Sequence, residues 1–468
     1  MKKLFVSLLL LISALSIYAQ KDPDRFTGNW MGALDVGATK LRIGLFVTDS
    51  AGVFSSYLMS PDQGVMNIEV NKTRISNDSI EIVSKFVAAN YKAVINQKGD
   101  SLKGIWFQGR KFPLTMAHFD KLPELKRPQE PKKPYPYKEE EVTFTDKKTG
   151  ITFAGTLTIP QGNKIFPGVV LVTGSGPQNR DEELLGHKPF LVIADYLTRN
   201  GIAVLRYDDR GVGKSGGVFS AGTTLDFSQD AEAAFNFLRS DYRIDSMKVG
   251  IMGHSEGGMI APMVAARNKK VAFVVMLAGP GLKGEEILML QSELIAKADS
   301  TPQKEIDINT QLNKKIYAIA IKEKDNKKAA DKMHALIEEY WKTLDPEMIK
   351  KQNLDKKALM QSISQVLTPW FRYFLESEPS KYLVKVKCPV LAINGSKDLQ
   401  VPPEQDLAAI KKYLTKAGNK NFTTKEFDGL NHLFQHAKTG SPTEYMDIEE
   451  TFAPEALEFI GKWIQTLK

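Results

Sequence analysis

KVGIMGHSEGGMIAPMVAAR, residues 248–267, passes from a β-rich run through Gly253-His254-Ser255-Glu256-Gly257 into a helix of small residues. A turn between strand and helix this abrupt leaves no room for side chains two residues before and after its tip, and glycine stands at 253 and 257. It would expose the Ser255 hydroxyl at a helix N-terminus, with the Glu256 backbone N–H beside any oxyanion that forms there. Ser255 is therefore the expected nucleophile, on a sheet whose strands feed helices.

A serine hydroxyl needs a base, and the base an orienting acid, each from the end of a later strand. PVLAINGSKDLQVP, residues 389–402, sets Asp398 just past an apolar strand. NFTTKEFDGLNHLF, residues 421–434, sets His432 just past the next one. Of the six histidines, His254 lies inside the turn, its side chain expected to point away from the serine. His436 follows one helical turn after His432, and His118 and His334 lie outside these strand ends. Glu404 and Asp428 are the alternative acids.

The loop after the first apolar strand, Gly174-Ser175-Gly176-Pro177-Gln178-Asn179-Arg180-Asp181, is glycine-rich, and its successive amides can converge on one oxygen. Ser175 or Gly176 is expected to supply the second oxyanion donor, and the Gln178 side chain to close the site. His187 reads as a surface or supporting residue, with direct substrate contact as the alternative. Trp370 and Phe371 read as core, with an acyl-pocket wall as the alternative. Gly211-Val212-Gly213-Lys214-Ser215-Gly216 matches a dinucleotide fingerprint formally, but GVFSAGTTLDF follows where a helix must start, and Asp208 stands where a phosphate loop needs glycine. No cofactor is implied, and one cysteine, Cys388, excludes a cysteine-rich zinc site and an internal disulfide.

Around this core the strand candidates PGVVLVTG, GIAVLRYD, KVGIMG, FVVMLAG, PVLAING and FTTKEF alternate with helical stretches, after a strand pair in EVTFTD and FAGTLTIP. A mainly parallel sheet flanked by helices is expected over 140–468. About 100 residues without strand character separate LAGPG from PVLAING, which reads as a helical cap over roughly 282–386. Residues 24–118 alternate with period two, as in Leu41, Ile43, Leu45 and Val47, and turn at 49–52, 60–64 and 96–100. Seven or eight strands in a small all-β, barrel-like domain are expected there, with Trp30, Tyr91 and Trp106 as packing residues. Residues 119–139, rich in proline and charge, read as an extended, solvated linker.

At the start, Lys2 and Lys3 precede a mainly apolar run from Leu4 to Leu15, too short to span a bilayer, which reads as a signal peptide cleaved after Ala19. The protein is expected to be exported, periplasmic or secreted, with no membrane segment after cleavage. The formal charge of +8 is dispersed, as in IKEKDNKKAADK, so no nucleic-acid partner is expected.

GSGPQNRDE, ADYLTRNGIAVLRYDDRGVGKSGG, GHSEGG, NGSKDLQVP and GLNH occur in that order. Together they resemble bacterial α/β-hydrolases close to serine-aminopeptidase-type esterases and acyl-peptide-hydrolase relatives, over roughly 140–468. The resemblance implies a cofactor-free acyl-enzyme mechanism on Ser255, Asp398 and His432 and a cap after LAGPG. Thr173 departs from it, since many relatives carry histidine before the oxyanion-loop glycine. The β-domain, with GNWMGAL and SPDQG, resembles an accessory module that precedes such hydrolases. A carboxylesterase acting on a small ester is the leading expectation. A peptidase acting on short acylated peptides with the same triad is the alternative, and a non-catalytic binder of envelope glycan the second.

Overall fold

The computed structural model describes residues 23–467 except 36–39, 51, 64, 86, 109, 121–124, 347–348 and 350–355. The segment expected to direct export lies outside these residues. The chain forms two compact units, one drawn from residues up to 33, 43–59 and 67–120, the other from 34–42, 60–66 and 121–468.

Nine antiparallel strands make the first sheet. They are β1 (Gly28–Asp35), β2 (Lys40–Ser50), β3 (Val53–Ser60), β4 (Val65–Glu69), β5 (Lys72–Ser76), β6 (Ser79–Ser84), β7 (Ala89–Ile95), β8 (Ser101–Gln108) and β9 (Arg110–His118). Their order, β4-β3-β2-β1-β9-β8-β7-β6-β5, is that of an open half-barrel. The count exceeds the seven or eight expected, because short polar strands such as Lys72–Ser76 carry too little apolar signal to be seen in sequence. Burial alternates along β6 and β7, and Trp30, Tyr91 and Trp106 are buried packing residues as expected.

The second sheet holds β10 (Lys138–Thr145), β11 (Thr152–Ile159), β12 (Phe166–Val172), β13 (Ala203–Tyr207), β14 (Ile244–His254), β15 (Val274–Leu277), β16 (Val390–Gly395) and β17 (Phe422–Phe427). The order is β10-β11-β13-β12-β14-β15-β16-β17. β10 and β11 are antiparallel, and the remaining strands run parallel. A parallel sheet must be covered on both faces. Here α1 (Pro189–Arg199) and a C-terminal helix (Pro454–Gln465) pack Phe190, Leu197 and Ile460 against one face, while α2 (Thr224–Ser240) and α3 (Glu256–Arg267) pack Phe235, Ile260 and Val264 against the other. This is the α/β-hydrolase architecture the sequence led to expect. All six parallel strands, β12 to β17, lie where the sequence placed them. The glycine-rich loop at 211–216 has no helix at its end, since α2 begins only at Thr224.

Between β15 and β16 the chain is helical, with α4 (Gly284–Ala298), α5 (Gln303–Lys322), α6 (Asn326–Thr343), α7 (Lys356–Val366), α8 (Pro369–Leu375) and α9 (Ser380–Leu383). The cap has its own apolar centre in Leu312, Ile316, Ala320, Met333, Ile337 and Ile363.

The solvated linker expected at 119–139 is different in the structure. Arg127 donates to the carbonyls of Leu185, Met446 and Ile448 at 2.9, 2.9 and 3.0 Å. Gln129 exchanges hydrogen bonds with the Thr451 and Phe452 backbone, and Tyr137 is buried with its hydroxyl on Asp195. The segment is pinned by side-chain contacts to backbone groups, which hydropathy does not register.

Candidate active site

Ser255 has φ 53° and ψ −119°, a left-handed conformation that a residue with a Cβ adopts only when its surroundings enforce it. The neighbouring glycines show how. A Cβ on Gly253 would overlap the Gly257 carbonyl, and one on Gly257 would overlap the Val172 carbonyl. A Cβ on Gly174 would come within 3.2 Å of that of Ser255, so a bare backbone brings the β12 loop against the serine. Ser255 N donates to Leu277 O at 2.9 Å, and the helix that follows leaves the Glu256 amide without an intrahelical acceptor. The strained tip is held by β15 behind it and by the β12 loop beside it.

His432 lies in the loop after β17, 4% exposed, with Nδ1 2.8 Å from Oδ2 of Asp398. Asp398 lies after β16, also buried, and its Oδ1 accepts the amides of Gln400 and Val401 at 2.8 and 2.9 Å. Those two amides compensate the burial of the carboxylate and aim its second oxygen at the imidazole. With Nδ1 on Asp398, Nε2 remains for the serine. Asn431 shapes the His432 loop, its Oδ1 accepting from Leu433 N and Gln435 N. The alternative acids drop out: Glu404 and Asp428 are exposed. His436 is exposed and paired with Glu450 and Glu455.

Ser255 and His432 line one cleft of about 110 Å³ with Gly174, Ser175, Gln178, Glu182, His254 and Gln400 among its walls. Gly176, expected as an alternative donor, is not among the residues lining it. The loop is set by two carboxylates that sequence reading passed over. Asp209 accepts from Thr173 Oγ1 at 2.8 Å and from Gln178 N at 2.9 Å, clamping both ends of Gly174–Pro177. Burial pushes the Asp209 carboxyl well up, against the two hydrogen bonds that pull it down. Thr173, the departure from the family pattern, is thus one of its anchors. Glu182 Oε1 accepts Gly174 N at 2.8 Å and lies 3.0 Å from His254 Nδ1.

The structure decides three readings: Trp370 and Phe371 pack as core, as expected, while the surface reading of His187 and the outward-pointing reading of His254 are corrected. His187 cannot reach a substrate: it is fully buried, Nδ1 on Thr451 Oγ1 and Nε2 on Tyr445 O, and burial depresses its pKa to about 4. His254 is no bystander pointing away, since it lines the cleft and its Nε2 lies 2.9 Å from His432 O. Phe371 packs into the cap core, and Trp370 packs among Met259, Met263, Ile287 and Phe374, so neither walls this cleft. Trp370 nevertheless reaches the elbow, donating Nε1 to both Glu256 oxygens at 2.9 and 3.0 Å, while Thr224 donates to Oε1 at 2.7 Å. Burial raises the Glu256 carboxyl to about 7. A buried acid at the residue after the nucleophile was legible only as a letter in the motif; its partners come from 32 and 114 residues away.

A family model described as serine aminopeptidase, S33, matches residues 189–438. The chain is 28% identical to the esterase EstD of Thermotoga maritima over 62% of its own length and 60% of that protein's, so it spans less than two thirds of this relative. It is 24% identical to an uncharacterized 31.7 kDa protein of Escherichia coli, over 57% of this chain and 84% of the other. Among solved structures, an esterase of Pyrococcus furiosus is similar at a TM-score of 0.42 and 16% identity, covering 71% of this chain and 92% of that one.

Proposed function

The chain belongs to the serine aminopeptidase S33 family of hydrolases, and on that premise we propose that it cleaves small carboxylic esters through Ser255, His432 and Asp398. One observation carries the proposal: the strained Ser255 and His432, whose Nδ1 is held by the buried Asp398, line the same small cleft. His432 Nε2 takes the hydroxyl proton as Ser255 Oγ attacks the acyl carbon, and Asp398 stabilises the imidazolium. The Glu256 and Ser175 amides receive the oxyanion. Collapse expels the alcohol, which leaves with the proton from His432, and water then repeats the sequence to free the acid. The esterase name of the Thermotoga relative supports an ester substrate. The family description favours a second reading, a peptidase using the same groups.

Export to the periplasm or beyond is part of the proposal, supported by Lys2, Lys3 and the apolar run that follows. Among the described residues no helix is long and apolar enough to cross a membrane. The test is fluorophosphonate labelling mapped by mass spectrometry, followed by turnover of p-nitrophenyl acetate and butyrate against aminoacyl anilides. Label on Ser255 with faster ester turnover is expected. Faster anilide turnover transfers the proposal to the peptidase, and no label on Ser255 removes the nucleophile.

A further inference from the structure

His254 has a feature the proposed acyl-transfer steps do not use. Each of its ring nitrogens faces an acceptor. Nε2 lies 2.9 Å from the His432 backbone carbonyl, which has no proton to give, so Nε2 must carry one. Nδ1 lies 3.0 Å from Oε1 of Glu182, an oxygen already accepting the Gly174 amide at 2.8 Å. A carboxylate there requires a proton on Nδ1 too, and a neutral imidazole cannot supply both.

Burial of the ring works against a charge, and the Glu182 carboxylate outweighs it, keeping the imidazole above its ordinary range. Glu182 is itself buried and holds φ 52°, a left-handed conformation in a residue other than glycine. The backbone is strained where it delivers the counter-charge. Asp398 contributes to the same field from the β16 end, and the His432 ring lies with its centroid 4.8 Å from that of His254.

We infer that His254 is a positioning residue, held as a doubly protonated imidazolium between the Glu182 carboxylate and the His432 carbonyl, which ties the oxyanion loop and the His432 loop to the strand bearing the nucleophile. Three separate stretches of chain must meet within a fraction of an ångström for acyl transfer. His254 is joined to Ser255 through the backbone, to Gly174 through Glu182, and to His432 through its carbonyl. The ion pair supplies what a neutral hydrogen bond in so small a space would supply less firmly. The functional role rests on the proposed triad; the protonation state does not.

The test has a spectroscopic arm and a kinetic one. In the intact wild-type chain labelled with 15N-histidine, long-range 1H–15N correlation at neutral pH should show both ring nitrogens of His254 protonated. His254→Gln identifies the resonance by its loss, and Glu182→Gln by its perturbation should the first variant fail to fold. Glu182→Gln should also convert His254 to the singly protonated ring. A pyridine-type nitrogen on His254 in the wild type overturns the inference.

Kinetically, His254→Gln and Glu182→Gln, each checked for fold by circular dichroism, should lower kcat about 10²-fold with KM little changed, as misplacement of reacting groups does. Glu182→Asp, which keeps the charge, should recover part of that loss. Unchanged kcat in both glutamine variants removes the positioning role. A wild-type chain that fails to take a fluorophosphonate on Ser255 is a different failure, one that strikes the triad and leaves the imidazolium to the spectrum.

Discussion

The two sheets treat ionisable groups in opposite ways. In the antiparallel sheet Glu81 is bridged by Lys72 and Lys92 at 2.6 and 2.9 Å at the surface, and those hydrogen bonds draw its carboxyl down to about 2. The interior of that sheet is filled by Trp30, Tyr91 and Trp106. In the parallel sheet Glu182, His254, Glu256, Asp398 and His432 are buried, all at or beyond the C-terminal ends of strands, and burial raises Glu256 to about 7. Taking charge out of water is costly unless it is compensated. Where a fold accumulates that cost at one sheet edge, the edge is where its chemistry is to be sought. The antiparallel sheet reads as packing.

Breaking the contrast at its centre should have the largest effect. Ser255→Ala should lower kcat by on the order of 10⁶ if the proposed triad acts as a unit. Asp398→Asn should lower it by about 10⁴, since the amide no longer holds the imidazole in its working tautomer. His436→Ala, on an exposed residue paired with Glu450 and Glu455, should leave turnover near wild type. Steady-state hydrolysis of p-nitrophenyl acetate by the three variants measures all of this. Equal losses in Asp398→Asn and His436→Ala would dissolve the contrast between the buried edge and the surface.

A break on the other sheet should act on stability alone. Trp106 is 2% exposed and packs 6.4 Å, centroid to centroid, from Tyr91. Trp106→Ala should cost roughly 3–5 kcal/mol in the unit that contains it. Calorimetry should show an early transition shifted down, with kcat per labelled serine preserved. A matching fall in kcat would mean that the antiparallel sheet contributes to turnover.

Much of the parallel sheet was legible because apolar runs such as PGVVLVTG and PVLAING have no alternative to burial on both faces. The elbow was legible because only glycine fits at 253 and 257, and Asp398 and His432 because each follows the end of a strand, the first of them fully buried. What stayed hidden was second-order. Glu182, Asp209 and Gln400 are ordinary loop letters until the fold sets them against Gly174, Thr173 and Asp398. The pinned segment at 126–137 and the cap contact from Trp370 to Glu256 were illegible for the same reason: their bonds join residues from 58 to 323 positions apart. The buried state of His187 depends on Thr451 and Tyr445, more than 250 residues away.

The smallest expected effect sharpens the contrast between Glu81 and Glu256. A carboxyl raised on folding binds protons more tightly in the native state, so its contribution to stability is greatest below the unfolded value and declines as pH rises toward the folded one. For Glu256 that interval runs from the usual carboxylate value of 4.5 to about 7, worth roughly 3 kcal/mol. Glu256→Gln keeps an acceptor for Thr224 and Trp370 and removes the titration. Its stability relative to wild type should therefore rise with pH across that interval, in urea titrations at successive pH values. Because the backbone N–H of residue 256 remains, kcat should fall by far less than the 10²–10³ that losing an oxyanion donor costs. Glu81→Gln should show the opposite sign: the surface lysines favour its charged form in the native state, so what the variant loses is present at neutral pH and fades only as pH falls toward about 2. Parallel pH dependences in the two variants would mean that burial and surface pairing do not distinguish the two sheets.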